Sequence, residues 1–172
     1  MPRTVETTVT YLEMTQRKHV AVHPPVNIKL ALMEAVKPPV HFYRYLYDTI
    51  GRDHVWHDRR RLSITELEEQ IHAEGIEIFV AYVTGCPAGY YELDSRKSEE
   101  VWLAYFGIVP EFLGLGLGKW LLSEAIAAAW EKGPERIRVE TCTLDHPRAL
   151  PLYQKLGFEP YAQKHKQMEL LD

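Results

Sequence analysis

The sequence is poor in cysteine, in long apolar runs and in excess positive charge, and each shortage excludes a class of protein. Only two of its 172 residues are cysteine, Cys86 and Cys142, too few and too isolated for a disulfide framework or a zinc site. No apolar run approaches the ~18–20 residues that cross a bilayer. The formal net charge of −4 argues against a general nucleic-acid binder, which needs basic residues to contact phosphates.

The remaining composition is that of an ordinary folded protein, with 46% apolar and 26% charged residues. The first residues, MPRTVETTVTYLEM, lack the charged-then-apolar order of a signal peptide. A chain of this length suits one domain with its own core. We therefore expect one reduced, cytoplasmic domain over residues 1–172, without a nucleic-acid or membrane partner.

The first 75 residues predict strands followed by helices. TVTYLEMT alternates between apolar and polar residues and predicts a first strand, and VNIKLALMEA is a second apolar stretch. VHFYRYLYDTIG has helical spacing and ends at Gly51. SITELEEQIHAEG predicts a helix in which Ser63 and Glu66 form a capping box and Gly75 marks the end.

After Gly75 the apolar period changes to two. IEIFVAYVT, AGYYELDS and EEVWLAYFGIV predict three strands whose short connections make an antiparallel meander. A helix from about Trp120 to Lys132 then leads into the strand RIRVETCTL, and this crossover predicts a parallel pair. A last helix is expected from about Pro147 to Leu156, and EPYAQKHKQMELL supplies one strand or a hairpin. The fold class is an α/β sheet with helices packed on it.

Glycine occupies every second position between the third strand of the meander and the next helix, in FLGLGLGKW. Free N–H groups at a helix start, approached without an intervening β-carbon, favour an anion such as phosphate, and Lys119 adds a positive charge. A tight turn that only needs unusual backbone angles is the alternative. The loop does not fit the Walker motif, since Leu113 stands where that motif needs glycine and Trp120 replaces its hydroxyl residue. It does not fit the dinucleotide-binding motif Gly-x-Gly-x-x-Gly either, because its glycines follow the pattern Gly-x-Gly-x-Gly.

Two segments carry a family resemblance. GIVPEFLGLGLGKWLL resembles motif A of the GCN5-related N-acetyltransferases, and LDHPRALPLYQKLGFEP resembles the motif that follows it in that family. The resemblance covers about half of the chain, from roughly Ile76 onward. It implies a mixed, mostly antiparallel sheet with one splayed parallel pair. It also implies that residues 1–75 supply acceptor-side helices and that residues 76–172 hold the acetyl-CoA site.

The same resemblance implies which residues bind acetyl-CoA. Backbone amides would hold the pyrophosphate, and these belong to Gly114, Leu115, Gly116, Leu117, Gly118 and Lys119. The pantetheine arm would pair with backbone at Ile108 and Val109, where an N–H would polarise the thioester carbonyl. The sequence departs from the family pattern at Leu113, where Gln or Arg is usual, and at His146, where Asn is common. His146 either caps the last helix or touches the cofactor.

Tyr153 occupies the family's general-acid position, and its alternative use is core packing beside Leu156 and Phe158. Glu92 is the candidate base, because its apolar and aromatic neighbours could raise its pKa. The alternative is that Glu92 is only a solvent-exposed charged residue on a strand. No base is needed if the acceptor amine arrives unprotonated. Other side chains considered for that role are Glu100, Tyr105 and Glu140.

The resemblance also implies that Tyr43, Arg44 and Trp56 lie on the acceptor side. The alternative is that the segment FYRYLY only packs against the sheet and exposes its arginine to water. The run Arg59-Arg60-Arg61, with His54 and His57 nearby, could meet an anion but more often is a solvated helix end. No metal site is expected.

The sequence therefore predicts an acetyl-CoA-dependent N-acetyltransferase that acts on a small-molecule or peptide amine by direct attack. A homodimer is one expected state, because dimers are frequent in the family it resembles. The alternative is a non-catalytic acyl-CoA-binding sensor.

Overall fold

The computed structural model describes residues 3–171, which form one seven-stranded sheet with four α-helices packed on it. The strands are β1 (Thr4–Met14), β2 (Leu30–Glu34), β3 (Ile76–Val83), β4 (Cys86–Asp94), β5 (Glu100–Ile108), β6 (Arg136–Cys142) and β7 (Glu159–Glu169). The helices are α1 (Val40–Gly51), α2 (Ile64–Ile71), α3 (Leu117–Glu131) and α4 (Ala149–Lys155).

The sheet order is β2-β3-β4-β5-β6-β1-β7. β3, β4 and β5 form the predicted antiparallel meander, and β5 pairs with β6 in the predicted parallel direction. The α/β fold class with one parallel pair is therefore confirmed. The C-terminal segment is one long strand rather than a hairpin, since β7 pairs with β1 over almost its whole length.

β1 lies inside the sheet, antiparallel to both β6 and β7, while β2 lies at the opposite edge. The connection between them, residues 15–29, therefore has to cross the sheet, and we call it the strap. Val22 and Ile28 of the strap pack against the same core as α3. This contact explains why α3 is apolar on most of its circumference: the sheet lies on one side of it and the strap on another.

The two faces of the sheet carry separate cores. Along β4, Tyr91 belongs to the core under α3 and α4, and its neighbour Tyr90 belongs to the core under α1 and α2. Because successive strand residues point to opposite faces, these cores lie on opposite sides of the sheet.

The helix ends follow from local chemistry. Ser63 and Glu66 form the predicted capping box at the start of α2, with both reciprocal hydrogen bonds present. α3 begins at Leu117, three residues before the predicted Trp120. The reason is that Gly116, at φ +80°, ends the loop, and helical backbone starts directly after it.

Candidate functional site

The glycine loop presents free backbone donors at the start of α3. Gly114 and Gly116 have φ of +82° and +80°, a left-handed conformation that other residues adopt only with strain. Among the described residues, no backbone N–H from Gly114 to Lys119 donates to a protein acceptor. A helix of 15 residues follows, so its dipole adds to these donors. The loop is therefore built to receive an anion by its backbone.

β5 and β6 separate directly beside this loop. Their parallel pairing covers three residue pairs and stops at Trp102 and Arg138, although both strands continue. Within residues 3–171, the remaining part of β5, up to Ile108, pairs with no strand on its β6 side. A wedge-shaped gap with unpaired backbone thus opens between the strands and leads to the glycine loop.

Of the two predicted pairing positions, Ile108 at the end of β5 and Val109 just after it, only one faces the gap. The N–H of Val109 donates to the carbonyl of Ala88 at 2.8 Å, which turns that residue toward β4. Hydrogen-bonded and non-hydrogen-bonded pairs alternate in an antiparallel ladder. The neighbouring pair, Ile108 with Gly89, is therefore the non-hydrogen-bonded one, and the backbone N–H of Ile108 points into the gap.

A β-bulge in β5 turns Tyr105 toward the opposite face. Glu92 of β4 pairs with Tyr105, but Leu93 pairs with Leu103, so Ala104 is the extra residue. Before the bulge Leu103 packs in the core under α3, and after it Tyr105 packs in the core under α1. Bulges of this kind often re-aim a side chain beside a functional site.

Glu92 is fully buried beneath α1. The Tyr43 hydroxyl donates to its Oε1 at 2.7 Å, and Nη2 of Arg59 donates to its Oε2 at 2.6 Å. Burial raises the pKa of Glu92 above its ordinary value, while Arg59 and the Tyr43 hydroxyl lower it in part. The upward shift expected from the sequence is therefore present, but the ion pair with Arg59 was not predicted.

The three predicted acceptor residues lie in different surroundings. Tyr43 is buried against Glu92, and Nη2 of Arg44 donates to the carbonyl of Leu62 at 2.7 Å. Trp56 alone reaches the loop after β6, where its Nε1 donates to Oδ1 of Asp145 at 3.4 Å. The structure therefore brings Tyr43 to Glu92 and Trp56 to the mouth of the gap, and it directs Arg44 elsewhere.

Within the basic run after α1, Arg59 is used inside the protein, while Arg60 and Arg61 are exposed. Arg59 pairs with Glu92, Arg60 lies 3.4 Å from Asp48, and Nη2 of Arg61 donates to the carbonyl of Glu169 at 2.9 Å. These contacts hold the run against the sheet and the end of β7. Arg59 thus serves the buried carboxylate, and the exposure of Arg60 and Arg61 agrees with a solvated helix end.

Tyr153 lies on the other face, in the core under α3 and α4. Its ring meets Phe106 of β5 edge-on, with centroids 6.2 Å apart, and Phe158 at 5.9 Å. Burial raises the pKa of Tyr153, and the charge of Asp145 raises it further. Its hydroxyl therefore keeps its proton at neutral pH.

Asp145 is a site residue that the sequence did not single out. Its Oδ2 accepts from the Thr141 hydroxyl at 2.6 Å and from the N–H of Cys142 at 2.9 Å. The other oxygen meets Trp56, and the carboxylate is near enough to Tyr153 to affect its pKa. Asp145 thus connects the two faces at the open end of the gap. An acidic residue directly after a strand of the splayed pair was the signal available in the sequence.

His146 lies next to Asp145 at the start of the last helix. Its Nδ1 accepts the backbone N–H of Arg148, the residue just before α4, at 3.1 Å. This bond closes a turn before α4 and does not cap the helix, because it reaches the N–H of the N-cap residue itself. The ring also lies 5.9 Å from that of His54.

Comparison with known proteins gives this geometry a family. The model of the acetyltransferase (GNAT) family matches residues 42–158, which include the glycine loop, the gap and Tyr153. The chain therefore belongs to the GNAT acetyltransferase family. No significant match was found among curated proteins.

Solved structures share the fold at low sequence identity. The GCN5-related N-acetyltransferase from Sphaerobacter thermophilus superposes with a TM-score of 0.71 at 14% identity, covering 95% of this chain and 51% of that one. The enzyme of the same description from Kribbella flavida gives 0.63 at 15% identity, covering 94% and 57%. This chain thus spans about half the length of these two relatives.

A third structure is known with a bound ligand. The aminoglycoside N-acetyltransferase AAC(6')-Iy, solved in complex with CoA, superposes with a TM-score of 0.56 at 20% identity, covering 80% of this chain and 92% of that one.

The helices within residues 3–171 include none with the length and apolar character that spanning a membrane requires.

Proposed function

We propose that this protein is an acetyl-CoA-dependent N-acetyltransferase that transfers the acetyl group directly to an amine. The observation that carries the proposal is the gap between β5 and β6, which leads to six consecutive N–H groups, from Gly114 to Lys119, that donate to no acceptor in the described part of the chain. A pyrophosphate fits such donors, and an amide-containing arm fits the unpaired edge of β5. The complex of AAC(6')-Iy with CoA supports the choice of coenzyme.

Bound acetyl-CoA would supply an acetyl group already activated as a thioester. The N–H of Ile108 faces the gap and is the chain's donor for the carbonyl oxygen of that group. Tyr153 holds a proton on its hydroxyl beside the same gap, and we assign it the role of proton donor to the leaving sulfur.

The acceptor amine would enter from the side of Trp56. Asp145 offers a half-buried negative charge there, which attracts an ammonium group. Glu92 is our candidate base, and its carboxylate and the Tyr43 side chain that donates to it are both fully buried. Asp145 is the second carboxylate within reach of the acceptor.

The experiment that tests coenzyme binding is calorimetry with acetyl-CoA, CoA and ATP. We expect both coenzyme forms to bind at micromolar strength and ATP not to bind. Gly116→Ala should weaken binding by roughly tenfold or more, which is about 1.4 kcal/mol or more. Absence of acetyl-CoA binding to the folded wild-type protein would overturn the proposal.

Gly85→Ala is the matched control. Gly85 has φ +82°, a β-carbon there would meet nothing within 4 Å, and it lies in the turn between β3 and β4. Each substitution puts a side chain into left-handed backbone at a cost of about 1–2 kcal/mol. If the two variants lose similar stability but only Gly116→Ala loses binding, the coenzyme binds at the glycine loop.

A non-catalytic acyl-CoA sensor is the second candidate, and the complete burial of Glu92 favours it. A screen of amines for release of free thiol separates the two. The enzyme should lose about 10²-fold in rate with Tyr153→Phe. A sensor would bind acetyl-CoA, release no thiol with any amine, and be unaffected by that substitution.

A further inference from the structure

The strap, residues 15–29, passes close to the glycine loop. Cγ of Pro25 lies 3.9 Å from the position that a β-carbon on Gly116 would occupy. The family match begins at residue 42, so the strap is outside it. A segment outside the family match thus borders the loop for which we propose the coenzyme.

The strap also lines a shallow cavity of about 90 Å³ beside α3. Arg17, Lys18 and His19 come from the strap, Ser123 comes from α3, and Leu156 closes the cavity next to α4. Three consecutive residues that can carry positive charge thus share one cavity, while the Ser123 hydroxyl in it donates to the carbonyl of Trp120 at 2.6 Å. This combination suits a phosphate.

The positive charges of the cavity are only weakly neutralised. Lys18 pairs with Glu159 at 3.0 Å, and the two side chains are 47% and 77% exposed. Exposed pairs of this kind contribute little to stability, so a phosphate can displace the carboxylate. Among the described residues, neither Arg17 nor His19 forms an ion pair with a carboxylate.

The cavity lies one helical turn beyond the loop. Lys119 and Ser123 are four residues apart on α3, so they share a side of the helix and are separated by about 6 Å along its axis. Coenzyme A carries a phosphomonoester on the ribose that also bears its pyrophosphate. A pyrophosphate on the loop therefore leaves this second phosphate within a short distance of the cavity.

We propose that the strap binds the ribose 3′-phosphate of coenzyme A through Arg17 and Lys18, with His19 completing the site. The proposal rests on the proposed function. It makes the strap a specificity element that separates coenzyme A from ligands that have the pyrophosphate alone.

The test is calorimetry of acetyl-CoA against 3′-dephospho-acetyl-CoA. The wild-type protein should prefer acetyl-CoA by about tenfold. The double variant Arg17→Gln/Lys18→Gln should lose most of that preference, because the charges that recognise the phosphate are gone. Lys29→Gln, which removes an exposed positive charge at the other end of the strap, should keep it.

A second variant should act in the opposite direction. Glu159→Gln removes the carboxylate that competes for Lys18, so the preference for acetyl-CoA should rise by about two- to threefold. Thermal unfolding of each variant checks that it is folded, as expected for exposed positions.

The outcomes separate this inference from the proposed function. If neither ligand binds the folded wild-type protein, the proposed function fails and the strap site falls with it. If both bind with equal affinity, or if the double variant keeps the preference, the coenzyme site stands and the strap site is wrong. A preference that both variants change in the expected directions supports the site.

Discussion

The two faces of the sheet hold their functional groups by different means. On the face of α3 and α4, the groups are backbone amides that a short run of glycines leaves free, from Gly114 to Lys119. On the face of α1 and α2, they are side chains from separate parts of the chain, with Tyr43 and Arg59 meeting on Glu92. The first arrangement depends on local φ angles, and the second depends on every partner being present.

This difference predicts how each face responds to mutation. Removing one partner of the buried cluster leaves a charge without compensation, which costs stability. Removing a polar group on the coenzyme face, such as the Tyr153 hydroxyl, leaves the backbone donors in place, so stability should change little while function changes. The substitutions below test that contrast.

The largest effect is expected from Arg59→Met, which leaves the Glu92 carboxylate buried without its cation. We expect a loss of about 3–5 kcal/mol in the free energy of unfolding at pH 7, measured by urea denaturation. Arg60→Met is the control, because Arg60 and Asp48 are both 41% exposed and their pair is worth about 0–1 kcal/mol. Equal losses in the two variants would contradict the assigned importance of the Arg59–Glu92 pair.

Lower pH should restore much of the stability that Arg59→Met loses. Burial raises the folded-state pKa of Glu92, and loss of Arg59 removes an influence that lowers it. A carboxyl group with a raised folded-state pKa destabilises the fold progressively as pH rises from its unfolded pKa to its folded one. The deficit against wild type should therefore shrink on acidification from pH 7 toward pH 5, whereas any deficit of Arg60→Met should stay nearly constant. A deficit that grows would show that Glu92 is not the group left unpaired.

Two buried tyrosines sharpen the comparison between the faces. Tyr43→Phe removes a hydrogen bond to a charged group and should cost about 1.5–3 kcal/mol. Tyr153→Phe removes a hydroxyl that has no protein partner among the described residues, so stability should change by less than about 0.5 kcal/mol. Denaturation of both variants tests this, and a large stability loss in Tyr153→Phe would show that its hydroxyl has a structural role in the fold.

Gly107→Ala should cause the next largest loss of stability, on the face of α1 and α2. A β-carbon at Gly107 would overlap Cγ2 of Ile50, so α1 has to shift from β5 at a cost of about 1–3 kcal/mol. Gly118→Ala is the counterpart on the coenzyme face, where the nearest atom to the new β-carbon lies 3.8 Å away. Thermal unfolding should show a lower midpoint for Gly107→Ala and an unchanged midpoint for Gly118→Ala.

Ser63→Ala should have the smallest effect, about 1 kcal/mol, because it removes one capping hydrogen bond at the start of α2. Denaturation measures the loss, and Ser63→Asp, which keeps an acceptor at that position, should recover most of it. A loss that Asp does not recover would mean that the capping interaction is not what stabilises this end of the helix.

The sequence by itself determined the elements whose causes lie within a few neighbouring residues. The capping box of Ser63 and Glu66, the alternating strands β3 to β5 and the glycine loop before α3 are all local, so their signals are readable without the fold. The parallel direction of β6 followed from its crossover helix. The sequence placed the start of α3 three residues too late, because the residues directly after Gly116 are already helical.

Only the tertiary structure decided which distant residues meet. Arg59 and Glu92 are 33 positions apart, and no spacing rule links a basic run on a loop to one strand carboxylate. The extra residue Ala104, which turns Tyr105 across the sheet, and the place of β1 between β6 and β7 are equally invisible to local pattern. Pairing of this kind is chosen by the packing of the whole chain, because desolvation and partner geometry exist only once the sheet has formed.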